Sequence, residues 1–408
     1  MSIALRCAIP LVVLAAQPMP AAADVITDWN EKAVAWVTPR MTPPMAQRAV
    51  AIVQLAMFDA VNSIERRYRP YLTQLPAAAS SSPEAAAATA ASVALRSLLP
   101  PVADEIKAAA TAYLAAIPDG DDKAAGVKLG ESVAAVILEV RGKDGANDAD
   151  AYRPKTRPGV YVPTPITVGS ALANSKPFAL TSPAQFRPAA PIPLTSQQWA
   201  ADYNEIKELG AKASATRSAR QTEDARFWLI TGPQSTDPIA RQLVKSMSVV
   251  DSARFMAVAA VALADAYIAV MDAKYHYEFW RPITAIRNGD SDDNPATERD
   301  AAWQPIDNTP MHPEYPCAHC IGSAVLATVA EAMLGTAGVD IAMTSATAPG
   351  ITHRWTDLRA YADEVAQARI WAGFHYRFST HVGQDMGRRI GRYVVDTVMQ
   401  PAVVADAR

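Results

Sequence analysis

Prolines are concentrated in one stretch of this 408-residue chain, and they limit what that stretch can fold into. Nine of them lie between Tyr152 and Leu194, namely Pro154, Pro158, Pro163, Pro165, Pro177, Pro183, Pro188, Pro191 and Pro193. Each lacks an amide hydrogen and clashes with the preceding helical turn, so a continuous helix is excluded there. We expect residues 151–195 to form a long irregular belt across the surface. A linker between two domains is the alternative, because long loops are often either functional segments or linkers.

Helical patterns dominate on both sides of this belt, and strand patterns are weak. They cover Pro44–Tyr68, Pro83–Leu99, Val102–Ala116, Asp121–Arg141, Ser196–Leu209, Gln221–Ile230, Pro238–Val249, Asp251–Trp280, Cys317–Leu334, Asp357–Ala372 and Thr380–Met399. We expect Asp251 to cap its helix, as aspartate often does. The prediction is an all-α chain with an N-terminal helical region at residues 24–150 and a C-terminal helical core at residues 196–408.

The composition excludes several classes of protein. Apolar residues make up 50% of the chain and charged residues 19%, which is typical of a folded protein with a large core. The net charge of −3 disfavours general nucleic-acid binding, which needs a basic surplus. Three cysteines are too few for a disulfide framework.

The N-terminus, Met1–Ala23, has the pattern of a secretory signal peptide. An apolar run at Cys7–Ala16 is followed by small residues at Ala21–Ala23, just before Asp24. An uncleaved membrane anchor is the alternative, but the run is short and Pro10 interrupts it. No later stretch has 18 or so uninterrupted apolar residues, so we expect a soluble protein, periplasmic or secreted, that does not associate with membranes after cleavage.

Lys274 and Arg281 form the first segment that suggests chemistry. They are seven residues apart, so we expect both on one face of a helix that Pro282 ends. Two cations on an apolar stretch need an anion, or they must extend to solvent. A solvated helix face is the alternative.

The second segment, Pro316–His319, opens an apolar helix. The first amides of a helix have no intrahelical acceptor and attract anions. We expect His319 to lie in this turn, where an imidazole can transfer protons to a bound anion. The alternative is a histidine that only caps the helix by hydrogen bonding and takes no part in the chemistry.

The third segment runs from Arg369 to Ser379. We expect Gly373 to end a helix, His375 to lie in the following turn, and Ser379 or Thr380 to cap the next helix. Six residues is a poor helical spacing, so Arg369 and His375 can meet one ligand only if the helix ends between them.

These three segments, in this order, resemble the vanadium-dependent haloperoxidase and type 2 phosphatidic acid phosphatase (PAP2) superfamily. Its pattern is Lys-x6-Arg-Pro, Pro-Ser-Gly-His and Ser-Arg-x5-His-x3-Asp, and five residues match: Lys274, Arg281, His319, Arg369 and His375. Segments elsewhere resemble the haloperoxidase branch, namely Trp29-Asn30, Phe58–Asn62, Phe186–Pro188, Asp202–Glu205 and Trp303–Pro305. The resemblance implies two helical bundles packed into one compact unit, with residues 196–408 as the superfamily core.

The resemblance also implies roles for the matched residues. His375 would bond to vanadium through one imidazole nitrogen or, in a phosphatase, become phosphorylated. Lys274, Arg281 and Arg369 would neutralise the oxygens of the bound vanadate or phosphate. His319 would be the acid–base residue.

Three residues depart from the superfamily pattern. Cys317 replaces serine in the vanadate- or phosphate-binding segment and is a weaker donor. Ala318 keeps its amide there, but its methyl group crowds close approach. Ser379 replaces the aspartate expected behind His375, so the carboxylate that would orient this imidazole is missing. Cys317 and Cys320 also form a Cys-x-x-Cys, for which a redox dithiol is an alternative that lacks a thioredoxin-like context.

The function predicted from this resemblance is halide oxidation by hydrogen peroxide at a vanadate cofactor bound to His375. One alternative is an exported acid phosphatase that forms a phosphohistidine on a small phosphoester and needs no cofactor. A second is a non-catalytic oxyanion-binding protein. The amphipathic helices are also compatible with a homo-oligomer.

A zinc site is the competing use of histidines. The chain has neither a His-Glu-x-x-His motif nor a cysteine quartet, so we do not expect zinc. His312 and His353 are expected in or beside turns, without a role in the chemistry.

Overall fold

The computed structural model describes residues 24–163 and 166–402. The predicted signal peptide, Met1–Ala23, lies outside the described residues. Within them the all-α fold class is confirmed, with thirteen α-helices and one two-stranded sheet.

Five helices precede the belt: α1 (Val25–Val37), α2 (Pro43–Glu65), α3 (Pro83–Leu98), α4 (Ala103–Ala115) and α5 (Asp121–Arg141). Eight follow it: α6 (Gln197–Leu209), α7 (Ala219–Phe227), α8 (Asp237–Leu243), α9 (Val249–Tyr277), α10 (Pro282–Arg287), α11 (Ala318–Leu334), α12 (Leu358–Trp371) and α13 (Arg377–Thr397). Strands β1 (Ile341–Ser345) and β2 (Ala348–Trp355) form an antiparallel hairpin, which the sequence patterns did not predict.

Helix α9 joins the two bundles. In the first bundle, α2, α3 and α5 pack on one another; in the second, α11 packs on α12 and α13, and α9 contacts both bundles through α2, α11 and α13. By length and composition alone α9 could cross a membrane, but 94% of its apolar window is buried inside the protein. Burial on all sides explains why this helix is apolar all round.

The start of α9 differs from the prediction. Its N-cap is Ser248, whose side chain accepts from the Asp251 amide. The prediction that Asp251 caps this helix is therefore wrong. The aspartate lies in the first turn, where its negative charge still favours the helix dipole.

The belt is attached to α9 by a buried carboxylate. Asp265 is fully buried and accepts the backbone amides of Phe178, Ala179 and Leu180 at 2.6–2.8 Å. Burial raises the pKa of Asp265 to about 6. The described residues of the belt contain only one short 3-10 turn, Leu172–Asn174. Part of the belt's backbone is hydrogen-bonded to the Asp265 side chain of α9 instead.

Close packing of α13 on α11 fixes the position of α11, the helix that the second segment opens. Gly383, Gly387 and Gly391 recur every four residues on α13. A Cβ atom at Gly387 would lie 2.5 Å from the carbonyl oxygen of Ile321, and one at Gly383 would lie 2.6 Å from that of Cys317. Only glycine permits this approach at the start of α11.

Candidate active site

The first segment has a different local structure from the one predicted. Helix α9 ends at Tyr277 because Glu278 adopts a left-handed conformation with a φ of 50°. Lys274 therefore lies in the last turn of α9, whereas Arg281 is the N-cap of α10. The prediction of one shared helix face is wrong, and the turn between the two helices brings the side chains to the same buried region.

Both cations bind the loop in front of α11. Lys274 Nζ donates to the carbonyl oxygens of Pro313 at 2.9 Å and Glu314 at 2.7 Å, and Arg281 Nε donates to that of His312 at 2.8 Å. Lys274 is 0% exposed and Arg281 1%. Burial lowers the pKa of Lys274 well below its usual range, and Arg281 adds to the effect by charge repulsion. A bound anion would relieve that repulsion.

Arg369 lies in the last turn of α12 and is 1% exposed. One terminal nitrogen donates to the carbonyl oxygen of Trp228 at 2.5 Å, and the guanidinium lies 4.8 Å from the ring centre of Phe374. Its Nε has no acceptor among the described residues. Burial, with repulsion from Arg281, lowers the pKa of Arg369 to about 9. A buried N–H without an acceptor is costly, so Arg369 is suited to an incoming oxygen ligand.

His375 follows directly after the end of α12. Gly373 has a φ of 78° and turns the chain, and the amides of Phe374 and His375 both donate to the carbonyl oxygen of Arg369. The imidazole Nδ1 lies 2.7 Å from a carboxylate oxygen of Glu314. When Glu314 is ionised it can only accept, so Nδ1 then carries the proton and the Nε2 lone pair faces Arg281 at 3.3 Å. This nitrogen can then act as a ligand or a nucleophile.

Glu314 is the functional residue that sequence reasoning missed. It is fully buried, and the same carboxylate oxygen accepts the Tyr376 amide at 3.2 Å. Burial raises the pKa of Glu314 to about 7, although Lys274 and Arg281 lower it. The expectation that His375 lacks an orienting carboxylate is therefore wrong, because Glu314 supplies it from the preceding loop.

Ser379 does not orient His375. Its hydroxyl has no hydrogen-bond partner in the described part of the chain, and its carbonyl oxygen accepts the Cys317 amide at 3.3 Å. Helix α13 begins at Arg377 without a side-chain cap, so the prediction that Ser379 or Thr380 caps it is also wrong. Thr380 instead donates to the carbonyl oxygen of Arg377 within the helix.

His319 is the second residue of α11. Its Nε2 lies 3.0 Å from the carbonyl oxygen of Ile230, which can only accept, so this nitrogen carries the proton and Nδ1 is the basic one. Burial lowers the pKa of His319 well below its usual range, with a further contribution from Arg369. The imidazole is therefore neutral, and a bound anion nearby would favour its protonation at Nδ1.

Cys317 forms a disulfide with Cys320, and both residues are fully buried. Because its sulfur is in the disulfide, Cys317 has no S–H to donate to an anion. As the N-cap of α11, its Sγ accepts the Cys320 amide. The amides of Ala318 and His319 lie in the first turn, where helix geometry leaves them without an intrahelical acceptor.

A cavity of about 600 Å³ lies over this region. The matched residues that line it are His319, Arg369 and His375, together with Ala318. Lys274 and Arg281 do not line this cavity and act on it through the loop 312–314 and His375. Arg281 lies 3.3 Å from His375 Nε2. The cavity also contacts the first bundle at Pro43.

His312 was expected to have no role, yet it lines the same cavity. Its Nδ1 lies 2.9 Å from a terminal nitrogen of Arg281 and 3.1 Å from the carbonyl oxygen of Pro313. Its position two residues before Glu314 was visible in the sequence, but nothing local to the sequence connects it to Arg281.

Comparison with known proteins agrees with this arrangement. Residues 254–403 match the family model of the VCPO second helical-bundle domain. No curated sequence matches. A bacterial vanadium-dependent iodoperoxidase has a similar structure, with a TM-score of 0.79 and 22% identity over 95% of this chain and 99% of that one. A bacterial vanadium-dependent chloroperoxidase gives a TM-score of 0.72 and 17% identity over 93% of this chain and 94% of that one.

The resemblance to the vanadium haloperoxidase and PAP2-like superfamily is confirmed. At these identities the solved structures establish the fold.

The residues present fit a tetrahedral oxyanion such as vanadate. Arg369 Nε lacks an acceptor within the described ranges, and His375 Nε2 has a lone pair for the central atom. With neutral imidazoles, the cations Lys274, Arg281 and Arg369 and the carboxylate of Glu314 leave a net charge of +2 among these described residues. An oxyanion with two negative charges would balance them.

Proposed function

We propose that this protein binds vanadate at His375 and oxidises halide with hydrogen peroxide. The observation that carries the proposal is the His375 imidazole, whose Nδ1 is held 2.7 Å from buried Glu314 while Nε2 faces the cationic region. An oriented imidazole whose Nε2 can exchange the Arg281 contact for a metal bond is what a metal-oxyanion ligand requires. The membership of the superfamily supports the same reaction class.

The chain's own residues would perform the binding and proton transfers. Vanadate, when bound, supplies a Lewis-acidic centre for activating peroxide. Arg369 would donate its Nε hydrogen to one oxygen of the anion, and the first amides of α11 would donate to another. His319 would take the proton of incoming peroxide at Nδ1, because its Nε2 is already committed to Ile230.

The disulfide is compatible with turnover in peroxide. Because Cys317 and Cys320 are paired and buried, neither presents a thiolate for oxidation. A disulfide also suits an oxidising compartment. We therefore propose export to the periplasm or the medium, with Met1–Ala23 as the signal peptide.

The test is bromide or iodide oxidation, followed by halogenation of an organic acceptor, after the protein is loaded with vanadate. We expect activity that needs both vanadate and peroxide, and a loss of at least about a thousandfold in the His375→Ala variant. A wild-type rate no higher than that of His375→Ala would reject the proposal.

A soluble acid phosphatase is the second candidate, since His375 Nε2 could also attack the phosphorus of a small phosphoester. That reaction needs a protonated His319 to release the alcohol, whereas burial and Arg369 keep its pKa low. The same low pKa also makes His319 a weak base for peroxide, so it does not separate the two reactions. Hydrolysis of p-nitrophenyl phosphate by the same preparation, inhibited by vanadate and lost in Arg369→Ala, would favour the phosphatase.

The third candidate is oxyanion binding without catalysis. It predicts vanadate or phosphate binding by calorimetry together with neither oxidation nor hydrolysis. Absence of binding for both anions would remove all three candidates.

A further inference from the structure

A second titratable cluster lies outside the cavity, where the hairpin meets α7 and α12. Glu223 and Asp224 are on α7, His353 is on β2 and Glu364 is on α12. The ligating atoms of the first three all lie within 4.8 Å of one another. These residues come from distant parts of the sequence, so only the fold brings them together.

His353 points an unused nitrogen at the two carboxylates. It is 3% exposed, and its Nε2 has no hydrogen-bond partner in the part of the chain that the structure describes. This atom lies 3.6 Å from Glu223 Oε1 and 3.6 Å from Asp224 Oδ1, too far for a hydrogen bond. Ligands around a tetrahedral zinc ion, at bond lengths of about 2.1 Å, lie roughly 3.4 Å apart. The two distances from His353 Nε2 are close to that spacing.

The orientation of His353 is fixed by groups that are not ligands. Its Nδ1 lies 2.6 Å from Glu364 Oε1, and the ring stacks on Phe227 at 3.9 Å with an interplanar angle of 2°. The carboxylate accepts the Nδ1 proton and leaves the lone pair on Nε2. Histidines that bind metals are held in this way by a carboxylate behind them.

The charge of the cluster also favours a cation. The carboxylates of Glu223, Asp224 and Glu364 surround the His353 imidazole, and Arg220 is the cation that pairs with them. Arg220 Nε lies 2.7 Å from Asp224 Oδ1, but its side chain is 61% exposed and can move away. An Arg220 that swings out would leave three negative charges, of which a divalent ion would neutralise two.

We propose that Glu223, Asp224 and His353 form a site for a divalent transition-metal ion of the Zn²⁺ type. One nitrogen and two carboxylate oxygens suit this class of ion, and water would complete the coordination. A bound ion would join the hairpin to α7 and, through Glu364, to α12. The proposal departs from the expectation that the chain has no zinc site. The structure itself shows that the expectation of a turn at His353 is wrong, because this residue lies on β2.

The test is Zn²⁺ binding to the full-length protein after treatment with a chelator, measured by calorimetry and by metal analysis. We expect one ion per chain and a rise in the melting temperature. Glu223→Gln, whose parent side chain is 35% exposed, should fold normally and bind at least about tenfold more weakly. Arg220→Ala should bind more tightly, because a competing cation is removed.

Two further variants decide where the ion lies. His353→Phe should abolish binding, whereas His375→Ala should leave it unchanged, because the candidate active site has its own histidines. Absence of Zn²⁺ binding to the wild-type protein would overturn the proposal. So would binding that survives Glu223→Gln and is lost in His375→Ala.

Discussion

Two histidine–glutamate pairs in this protein have nearly the same geometry. In the candidate active site, His375 Nδ1 lies 2.7 Å from Glu314, and beside the hairpin, His353 Nδ1 lies 2.6 Å from Glu364. In both pairs an ionised carboxylate holds the proton on Nδ1; Nε2 of His375 then faces Arg281, whereas Nε2 of His353 has no hydrogen-bond partner among the described residues. The pair itself therefore does not determine which ligand is bound.

The surroundings of the two pairs have opposite charge. The cations Lys274, Arg281 and Arg369 surround the first pair, whereas Glu223 and Asp224 face the second. The first is suited to an oxyanion and the second to a metal cation. The same imidazole chemistry is thus directed to opposite ligands by the charges that the fold places around it.

Trp228 connects the two regions. Its indole N–H donates to Glu364 at 3.0 Å, while its carbonyl oxygen accepts from Arg369 at 2.5 Å. A change in position of α7 could therefore affect both pairs, so each experiment should measure both ligands.

The largest expected effect comes from removing Lys274, one of the buried cations of the candidate active site. Lys274→Met removes a buried charge and should weaken vanadate binding about 100- to 1,000-fold, which corresponds to roughly 3–4 kcal/mol. Zn²⁺ binding at His353 should not change. Calorimetry with each ligand checks both statements, with Lys143→Met as the control, because the Lys143 side chain is 77% exposed. A vanadate affinity within threefold of wild type would contradict the assignment.

The two carboxylates should affect stability with opposite dependence on pH. Burial raises the pKa of Glu314 to about 7, so between about pH 4.5 and 7 the folded protein binds more protons than the unfolded chain. Its contribution to stability is greatest below pH 4.5 and falls by about 3 kcal/mol as the pH rises through that window. Burial also opposes ionisation of Glu364, but hydrogen bonds from His353 and Trp228 outweigh it and lower its pKa. The stabilisation from Glu364 is therefore lost as the pH falls below its usual range.

Urea unfolding of anion-free protein from about pH 3 to pH 8 tests this difference. Glu314→Gln should lack the decrease above pH 4.5, and Glu364→Gln should lack the decrease at the acidic end. Profiles parallel to wild type for both variants would show that neither pair has the expected protonation.

The same two variants should separate the ligands. Glu314→Gln should weaken vanadate binding about 10- to 100-fold and leave Zn²⁺ binding intact, and Glu364→Gln should do the reverse, because each removes the carboxylate behind one imidazole. Calorimetry of both variants with both ligands measures the four affinities. Equal losses of both ligands in either variant would mean that the pairs are not independent.

The smallest expected effect concerns the packing of α13 on α11, behind the candidate active site. Gly387→Ala places a methyl group 2.5 Å from the carbonyl oxygen of Ile321 and should destabilise the protein by about 2 kcal/mol in urea unfolding. Gly322→Ala is the matched control, because its nearest neighbour would be 3.7 Å away, and it should be neutral or stabilising. Similar behaviour of the two variants would argue against close α11–α13 packing as the support of the first turn.

Much of the candidate anion site could be predicted from the sequence. The order and spacing of the three segments identified the five matched residues. Local interactions also fixed the bounds of several helices: α5, for example, was predicted at Asp121–Arg141, as observed. The boundary between Lys274 and Arg281 was missed because Glu278 ends α9 in a left-handed conformation that glycine usually adopts.

The partners of the two imidazoles could not be predicted in the same way. Glu314 is 61 residues from His375, and Glu223 is 130 residues from His353. The hairpin that carries His353 was also absent from the prediction, because two short strands give little periodic pattern.

The sequence by itself determined the helices, the interrupted belt and the chemical inventory, since these depend on covalent geometry and on neighbours within a few residues. Tertiary structure alone decided which carboxylate faces which imidazole and which sign of charge surrounds each. Burial makes those choices matter, because in a medium of low polarity a fixed charge a few ångströms away determines whether an anion or a cation is bound.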